Sequence, residues 1–358
     1  MAKENRYGLI LAGGRGTRFW PRSRKRHAKQ VLCVTGERTL IQETVDRLAP
    51  EIPPERIWIL TNDFVRDEIV RQLPEVPAAQ IIAEPAQRNT APPIALAAEI
   101  LHSIDPNAVF GVFPSDHVIG LSARYLEFLK AAFEAAERGD IAVLGIKPRW
   151  PDTGYGYIEF PTETEPGSKA VKVASFREKP AAPLAEEFFA AGNYYWNAGM
   201  FFWRAETVLE AMRKHQPKTA TLLSSLPPFE HPDFAARLAE VFPLCKKISI
   251  DYAVLEHADN VVGIACDEFQ WNDVGSWKAV YELLPRDTEG NAARSELVAI
   301  DSRNNYVDCG KKLVALVGVD NLVIVDTPDA LLIAHRDRAQ HVGGVVEILE
   351  AKQREDLI

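Results

Sequence analysis

The stretch Leu9-Ile-Leu-Ala-Gly-Gly-Arg-Gly-Thr-Arg18-Phe-Trp-Pro-Arg-Ser-Arg-Lys-Arg-His-Ala-Lys29-Gln30 is the most informative part of the chain. A short apolar strand, Tyr7 to Ala12, runs into a glycine-rich loop, and a crowd of cations follows. Gly13, Gly14 and Gly16 lack a Cβ, so the backbone can turn sharply and bring its N–H groups close to a ligand. A concave set of N–H groups binds anions, phosphate above all. Arg18 and Lys29 add fixed positive charge, the first suited to bidentate phosphate contacts and the second to a point-charge contact. Two familiar glycine motifs fail. A P-loop requires Lys and Ser or Thr after its second glycine, and Gly14-Arg-Gly-Thr-Arg18 has a different spacing. The dinucleotide fingerprint requires a third glycine where Phe19 stands.

Working outward, the apolar runs Tyr7–Ala12, Arg56–Thr61, Gln80–Ala83, Ala108–Phe113 and Ile141–Ile146 alternate with helix-like stretches at Thr39–Leu48, Asp63–Leu73, Thr90–Ile104 and Ala123–Arg138. Strands spaced by helices predict an α/β fold, a Rossmann-like and mainly parallel sheet flanked by helices. Ligands of such sheets bind beyond the carboxyl ends of the strands, where the glycine loop falls. From Gly154 to Trp203 the pattern changes to strands at Tyr155–Pro161, Ala170–Glu178 and Gly199–Trp203, with helices at Ala181–Ala191 and Thr207–His215. A helix from Trp277 to Leu284 leads to the linker-like Pro285-Arg-Asp-Thr-Glu-Gly-Asn. Brief strands follow at Leu297–Asp301, Asn305–Cys309, Lys312–Val317, Leu322–Asp326 and Ala330–Ala334, with no helix until about Val346. The expectation is a main domain over 1–287 and a small C-terminal β-solenoid-like domain with a terminal helix over 288–358. Its short coils would pack on the main domain or on a partner subunit, which leaves room for a homodimer.

With 47% hydrophobic and 25% charged residues in 358, the composition is ordinary for a globular chain. Cys33, Cys245, Cys266 and Cys309 lie far apart and predict neither a metal knuckle nor a disulfide framework. No apolar stretch reaches membrane-spanning length, and Met-Ala-Lys-Glu-Asn-Arg has no signal-peptide core, so no membrane partner and a cytoplasmic location are expected. A net charge of -9 argues against a nucleic-acid partner, so a polyanionic substrate must be drawn by local cations.

Val109-Phe-Gly-Val-Phe-Pro-Ser-Asp116-His117 is a buried strand ending in a carboxylate. Asp116 reads either as a loop cap or as a Mg²⁺ ligand, since Mg²⁺ favours one or two carboxylates plus phosphate oxygens. His117 reads as structural. Trp271-Asn-Asp273-Val-Gly-Ser-Trp277 offers a second carboxylate, Asp273, the natural partner of Asp116, while its tryptophans read as packing. Glu84-Pro-Ala-Gln-Arg88-Asn89-Thr90-Ala-Pro92 leads into a helix. Asn89 or Thr90 caps it with Pro92 in the first turn, and Arg88 and Asn89 would also suit a purine edge or a ribose. Asp251 reads equally as a sugar contact or a helix N-cap.

The G-x-G-T-R, Pro and Lys pattern of residues 14–29 resembles the signature of the sugar nucleotidyltransferases, and the L-A-G-G-R-G-T-R-F-W-P-R-S-R and R-N-T-A-P forms are most similar to its guanylyl branch. Ala28 departs from the Pro that usually precedes the lysine, which bears on the stiffness of the loop but not on its charge. The resemblance runs through separated motifs over essentially the whole chain. It implies a nucleotide site of Leu11, Ala12, Gly13, Gly14, Gly16, Thr17, Arg88 and Asn89, with Arg18 and Lys29 catalytic. It implies a metal, Mg²⁺ or Mn²⁺, on Asp116 and Asp273. It also implies a sugar-phosphate site in which Lys179 holds the phosphate, Glu178 a hydroxyl, Asn197 and Asp251 the sugar, and Gly156 a close backbone approach. The implied reaction joins GTP and mannose 1-phosphate into GDP-mannose and pyrophosphate by in-line attack, without a covalent intermediate. Bifunctional relatives add an isomerase domain, and the end of this sequence at Ile358 predicts the transferase alone. The alternatives are a related transferase for another base or sugar, and a non-catalytic sugar-nucleotide sensor. A sensor would have lost Arg18, Lys29 or a metal carboxylate, and all are present.

Overall fold

In a computed structural model, which describes residues 4–358, the expected α/β architecture is present. The first three residues of the 1–287 expectation fall outside it. The central sheet runs in the order Ile81–Ala83, Ile57–Thr61, Arg6–Leu11, Val109–Pro114, Tyr194–Arg204, Ile141–Ile146, Val261–Cys266, Ala170–Lys172. The first four strands are mutually parallel. These strands are almost continuously buried, which is why they read as unbroken apolar runs. Helices Leu40–Leu48, Arg66–Gln72, Ser122–Glu137 and Ala182–Ala191 pack on one face. Helices Ala91–Ile104, Ala205–His215, Pro217–Leu223 and Phe234–Val241 cover the other.

Two expectations are refined in the middle of the chain. The run Ala170–Glu178 breaks at Ala174 into two strands, Ala170–Lys172 and Ser175–Arg177, which pair with different partners. The run Gly199–Trp203 is the second half of an eleven-residue strand, Tyr194–Arg204, antiparallel to both of its long neighbours. Its register shifts between Asn197 and Phe201, where Gly199 has a φ of 68°, a value glycine takes at little cost. Asn197 stands at the start of this irregularity.

The C-terminal strands stack as parallel coils: Ala292–Ala293, Tyr306–Asp308 and Leu322–Asp326 form one wall, and Leu297–Ile300 with Val314–Val317 a second. Asn305 ties successive coils, donating to Asn291 Oδ1 at 3.0 Å and accepting from the Leu322 N–H at 2.8 Å. The last strand, Leu331–His335, reverses direction and closes the stack. Helical structure resumes earlier than expected, as a 3₁₀ segment Arg336–Val342 followed by the helix Gly343–Ala351. Phe19, Trp20 and Leu40 share one core with Trp277, Tyr306, Val325, Val342 and Ile358, so the solenoid packs directly on the segment after the glycine loop.

Candidate active site

The strand Arg6–Leu11 delivers the glycine loop to the carboxyl edge of the sheet, and side chains then pin its carbonyls. Gln30 and Thr61 donate to the Ala12 carbonyl at 2.6 and 2.9 Å, Gln87 and Asn62 to that of Gly13 at 3.2 and 3.3 Å, and Ser23 to that of Gly16 at 2.8 Å. The N–H groups of Gly13 to Gly16 have no hydrogen-bond partner among the described residues. A row of fixed, unsatisfied donors is what an anion requires. Gly16 has a φ of 63°, and a Cβ there would stand 2.4 Å from the Lys29 Cβ, so only glycine lets the lysine stem pass beneath the loop.

Lys29 is 5% exposed and its ammonium joins the two expected metal residues, donating to Asp116 Oδ2 at 2.9 Å and to the Asp273 carbonyl at 2.8 Å. Desolvation would raise the Asp116 pKa, but the Lys29 ammonium, the His117 ring and hydrogen bonds more than offset it, and the carboxyl lies below its ordinary value. His117 is structural, as expected: it accepts from Trp271 Nε1 at 3.2 Å, its carbonyl accepts from buried Arg47 at 2.9 Å, and desolvation pushes its imidazole down to about 4. Trp271 and Trp277 are buried packing residues. Ala28 holds a φ of -65°, the angle proline would impose, so the loop takes the same course without the ring. Arg18 lies on the surface, donating to the Gly275 carbonyl at 3.0 Å and to Gln340 Oε1 at 2.8 Å. Arg15 pairs with Glu350 at 2.7 Å. The loop is therefore moored to the segment after the solenoid.

A cavity of about 390 Å³ opens beside the loop, lined by Leu11, Gly13, Gly14, Gly16, Lys29, Gln30, Glu84, Gln87, Arg88, Asn89, Thr90, Pro93, Ser115, Asp116 and Lys247. Ala12 and Thr17 are not part of its wall. Arg88 lines it, but its guanidinium donates to the Pro243 carbonyl through Nε, at 3.0 Å, and Nη2. Asn89 lines it with a φ of 65°, its side-chain oxygen accepting from the next N–H at 2.9 Å. Thr90 caps the helix Ala91–Ile104 by position, and Pro92 lies in its first turn.

The residues expected on the sugar side form a second cluster. Asn197 Nδ2 donates to Asp251 Oδ1 at 3.0 Å, and the Asn197 N–H donates to the Gly156 carbonyl at 2.8 Å. A Cβ on Gly156 would lie 2.5 Å from Glu178 Oε2, so the missing side chain leaves this carboxylate its place. Lys179 is exposed and reaches Glu178 Oε1 at 3.2 Å. Asp251 opens the single π-turn Asp251–Leu255 and follows the cap residue Ile250, so it faces the cluster and does not cap a helix. Desolvation and then the neighbouring Glu178 push its carboxyl up to about 7.

Sequence reasoning passed over Glu84, Gln30, Gln340 and Lys247. Glu84 had a positional signal, for it stands immediately after the strand Ile81–Ala83, at the carboxyl edge where ligands bind. Gln340 had none, being 322 residues from the arginine it holds.

Two families match the chain: the nucleotidyl transferases over residues 7–290 and the MannoseP isomerase/GMP-like β-helix domain over 295–349. The alginate biosynthesis protein AlgA of Pseudomonas aeruginosa is 37% identical over 353 residues, which span 97% of this chain and 73% of AlgA. A mannose-1-phosphate guanylyltransferase of Klebsiella pneumoniae is 38% identical over 355 residues, spanning 97% of this chain and 74% of the relative. A crystal structure described as mannose-1-phosphate geranyltransferase from Thermus thermophilus superposes with a TM-score of 0.85 at 32% identity, covering 97% of this chain and 99% of that one. Together with a glycine loop that leads to a buried lysine between two aspartates, these matches show that the chain belongs to the nucleotidyl transferase family.

Proposed function

We propose that this enzyme transfers GMP from GTP to mannose 1-phosphate, releasing pyrophosphate and GDP-mannose. The observation that carries the reading is the glycine loop at the carboxyl edge, with N–H groups that have no partner among the described residues, beside a cavity of about 390 Å³ and above Lys29, which joins Asp116 to Asp273; the Gly156–Glu178–Asn197–Asp251 cluster is the second element of the reading. A nucleoside triphosphate laid over the loop brings its α-phosphorus toward Lys29, with the sugar phosphate approaching from the other side.

The chemistry needs positioning and charge stabilisation and no covalent nucleophile. The loop donors and Arg18 take the negative charge of the departing pyrophosphate, and Lys29 faces the charge that develops at the α-phosphate. Lys179 holds the phosphate of the attacking sugar, while Glu178, Asn197 and Asp251 orient its hydroxyls. The donor set fits Mg²⁺ that arrives with the triphosphate. No cluster of three or more His, Cys, Asp or Glu suited to a resident ion occurs among the described residues, whereas two carboxylates completed by phosphate oxygens suit magnesium. Asp116 and Asp273 would hold it. Bound there, the ion supplies charge neutralisation of the phosphates.

The division into a transferase domain over 1–287 and a C-terminal domain over 288–358, a cytoplasmic location and a homodimer complete the proposal. A panel pairing GTP, ATP, UTP and dTTP with mannose 1-phosphate and glucose 1-phosphate, scored by metal-dependent pyrophosphate release, tests it. GTP with mannose 1-phosphate should lead, and equal rates with UTP or dTTP would overturn the guanylyl assignment.

A further inference from the structure

Arg18 differs from the cations around it in what holds it. Arg15, Arg22, Arg24, Lys25 and Lys29 each pair with a carboxylate. Arg18 has no carboxylate partner among the described residues, and its Nη1 donates to two neutral acceptors, the Gly275 carbonyl at 3.0 Å and Gln340 Oε1 at 2.8 Å. The first belongs to the turn that carries Asp273, and the second to the 3₁₀ segment Arg336–Val342 beyond the solenoid. A neutral acceptor fixes the direction of a guanidinium and leaves its charge to a ligand, whereas a carboxylate fixes the direction and cancels the charge.

Gln340 is itself held in place. It lies between Ala339 and Val342, which are buried in the core that also holds Phe19 and Trp277. His335 caps the segment, accepting from the Asp337 N–H at 3.3 Å, and Asp337 pairs with Lys278 at 3.6 Å. Phe19 follows Arg18 directly, and Trp277 stands just after Gly275, so one apolar core fixes the donor and both acceptors relative to one another. The bond between Arg18 and Gln340 is exposed, so it contributes little to stability. Gln340, Gly275 and Asp273 line a second cavity, of about 470 Å³, so the groups that hold Arg18 face open space beside a carboxylate expected to bind metal.

We infer that Gln340 is a positioning residue for the triphosphate: it holds the Arg18 guanidinium beside the Asp273 turn with its charge free to meet the outer phosphates. This rests on the reading above, in which Arg18 takes the charge of the departing pyrophosphate. Gln340 falls within the β-helix match over 295–349 and beyond the transferase match over 7–290, so the C-terminal domain supplies part of the transferase site. The arginine is oriented before the nucleotide arrives, and less side-chain freedom is lost on binding.

The test measures synthesis and its reverse, the attack of pyrophosphate on GDP-mannose, in Gln340→Leu, Gln340→Glu, Arg18→Ala and the double variant of Gln340→Leu with Arg18→Ala. Gln340→Leu should raise the KM for GTP and for pyrophosphate about 3- to 10-fold each, and leave those for mannose 1-phosphate and GDP-mannose unmoved. Gln340→Glu keeps the acceptor but neutralises the arginine. Both KM values should then rise by about tenfold or more at low salt, and the excess over Gln340→Leu should shrink as salt rises. In the Arg18→Ala background, Gln340→Leu should change either KM by less than about twofold, because a residue that acts through the arginine has nothing left to hold. Gln340→Leu should melt with the wild type. A residue that only stabilises the fold would lower the melting temperature and cost the same with or without Arg18, and that result overturns the inference. Wild-type KM values in Gln340→Leu, or a Gln340→Glu enzyme as active as the wild type, overturn it too. If Arg18→Ala leaves both KM values unmoved, the role read for Arg18 fails and takes the inference with it; if Arg18→Ala raises them and Gln340→Leu does not, the inference fails alone.

Discussion

The two ends of the cleft carry carboxylates of opposite standing. At the proposed nucleotide end Glu84 is raised by desolvation and has no partner among the described residues; at the proposed sugar end Asp251 is raised too but already accepts from Asn197. The nucleotide end is also moored to the C-terminal segment through Arg15 and Arg18, whereas the hydrogen bonds and ion pairs of Gly156, Glu178, Lys179, Asn197 and Asp251 all lie within the main domain. One end is prepared by leaving a group unsatisfied, the other by building a network before the ligand arrives. Between them stands Lys29, and its loss should produce the largest change. Lys29→Met keeps the stem packed beneath Gly16 and over the Phe19 ring while removing the charge. Turnover should fall by about 10²–10³, the scale of losing one preorganised stabiliser of developing charge. The KM for mannose 1-phosphate should stay put; a variant that binds the sugar phosphate poorly but turns over normally would move Lys29 to the other end.

Lys179 offers the reciprocal test. It is exposed and contacts Glu178, so Lys179→Ala should raise the KM for mannose 1-phosphate about tenfold and leave the KM for GTP unchanged. A rise confined to the GTP KM would erase the distinction between the ends.

The pre-built network also has a pH signature. The folded pKa of Asp251, about 7, is raised above its ordinary value of 3.8. The native state therefore binds the proton more tightly, and this contribution to stability is full below the unfolded pKa and is lost as pH rises through about 7. Thermal melting without ligands should show that decline in the wild type and a shallower one in Asp251→Asn. Parallel curves for the two proteins would mean that Asp251 titrates as an ordinary surface carboxylate.

The main sheet was legible in the sequence because parallel strands buried on both faces must be apolar throughout, and because turn residues and capping signals separate them from their helices. The glycine loop and Asp116 were legible for the same reason, lying directly at strand ends. The strand Tyr194–Arg204 was read as half its length, because Asn197-Ala-Gly carries turn chemistry that the sheet absorbs as an irregularity. The pairing of Asn197 with Asp251 spans 54 residues and could be named only as two separate family positions. Glu84 was hidden differently. A glutamate before a proline is usually solvated, and what marks this one is the absence of partners among the described residues, a property of the packed cavity and not of the local sequence.

The smallest effect should come from the mooring of the loop. Arg15 and Glu350 pair at 2.7 Å with both side chains about a third exposed, at 35% and 38%, so solvent screens the interaction. An exposed pair contributes about 0–1 kcal/mol. A triphosphate over the loop competes with Glu350 for the Arg15 guanidinium, and removing the competitor favours the ligand. Glu350→Ala should therefore lower the KM for GTP by about two- to threefold, the size expected for a screened surface pair, with kcat and the sugar-phosphate KM unmoved. The effect should shrink as salt rises, since screening already weakens the pair in the wild type. If Glu350→Ala instead raised the GTP KM, the pair would be orienting the loop for its ligand, and the nucleotide end would be prepared by a network just as the sugar end is.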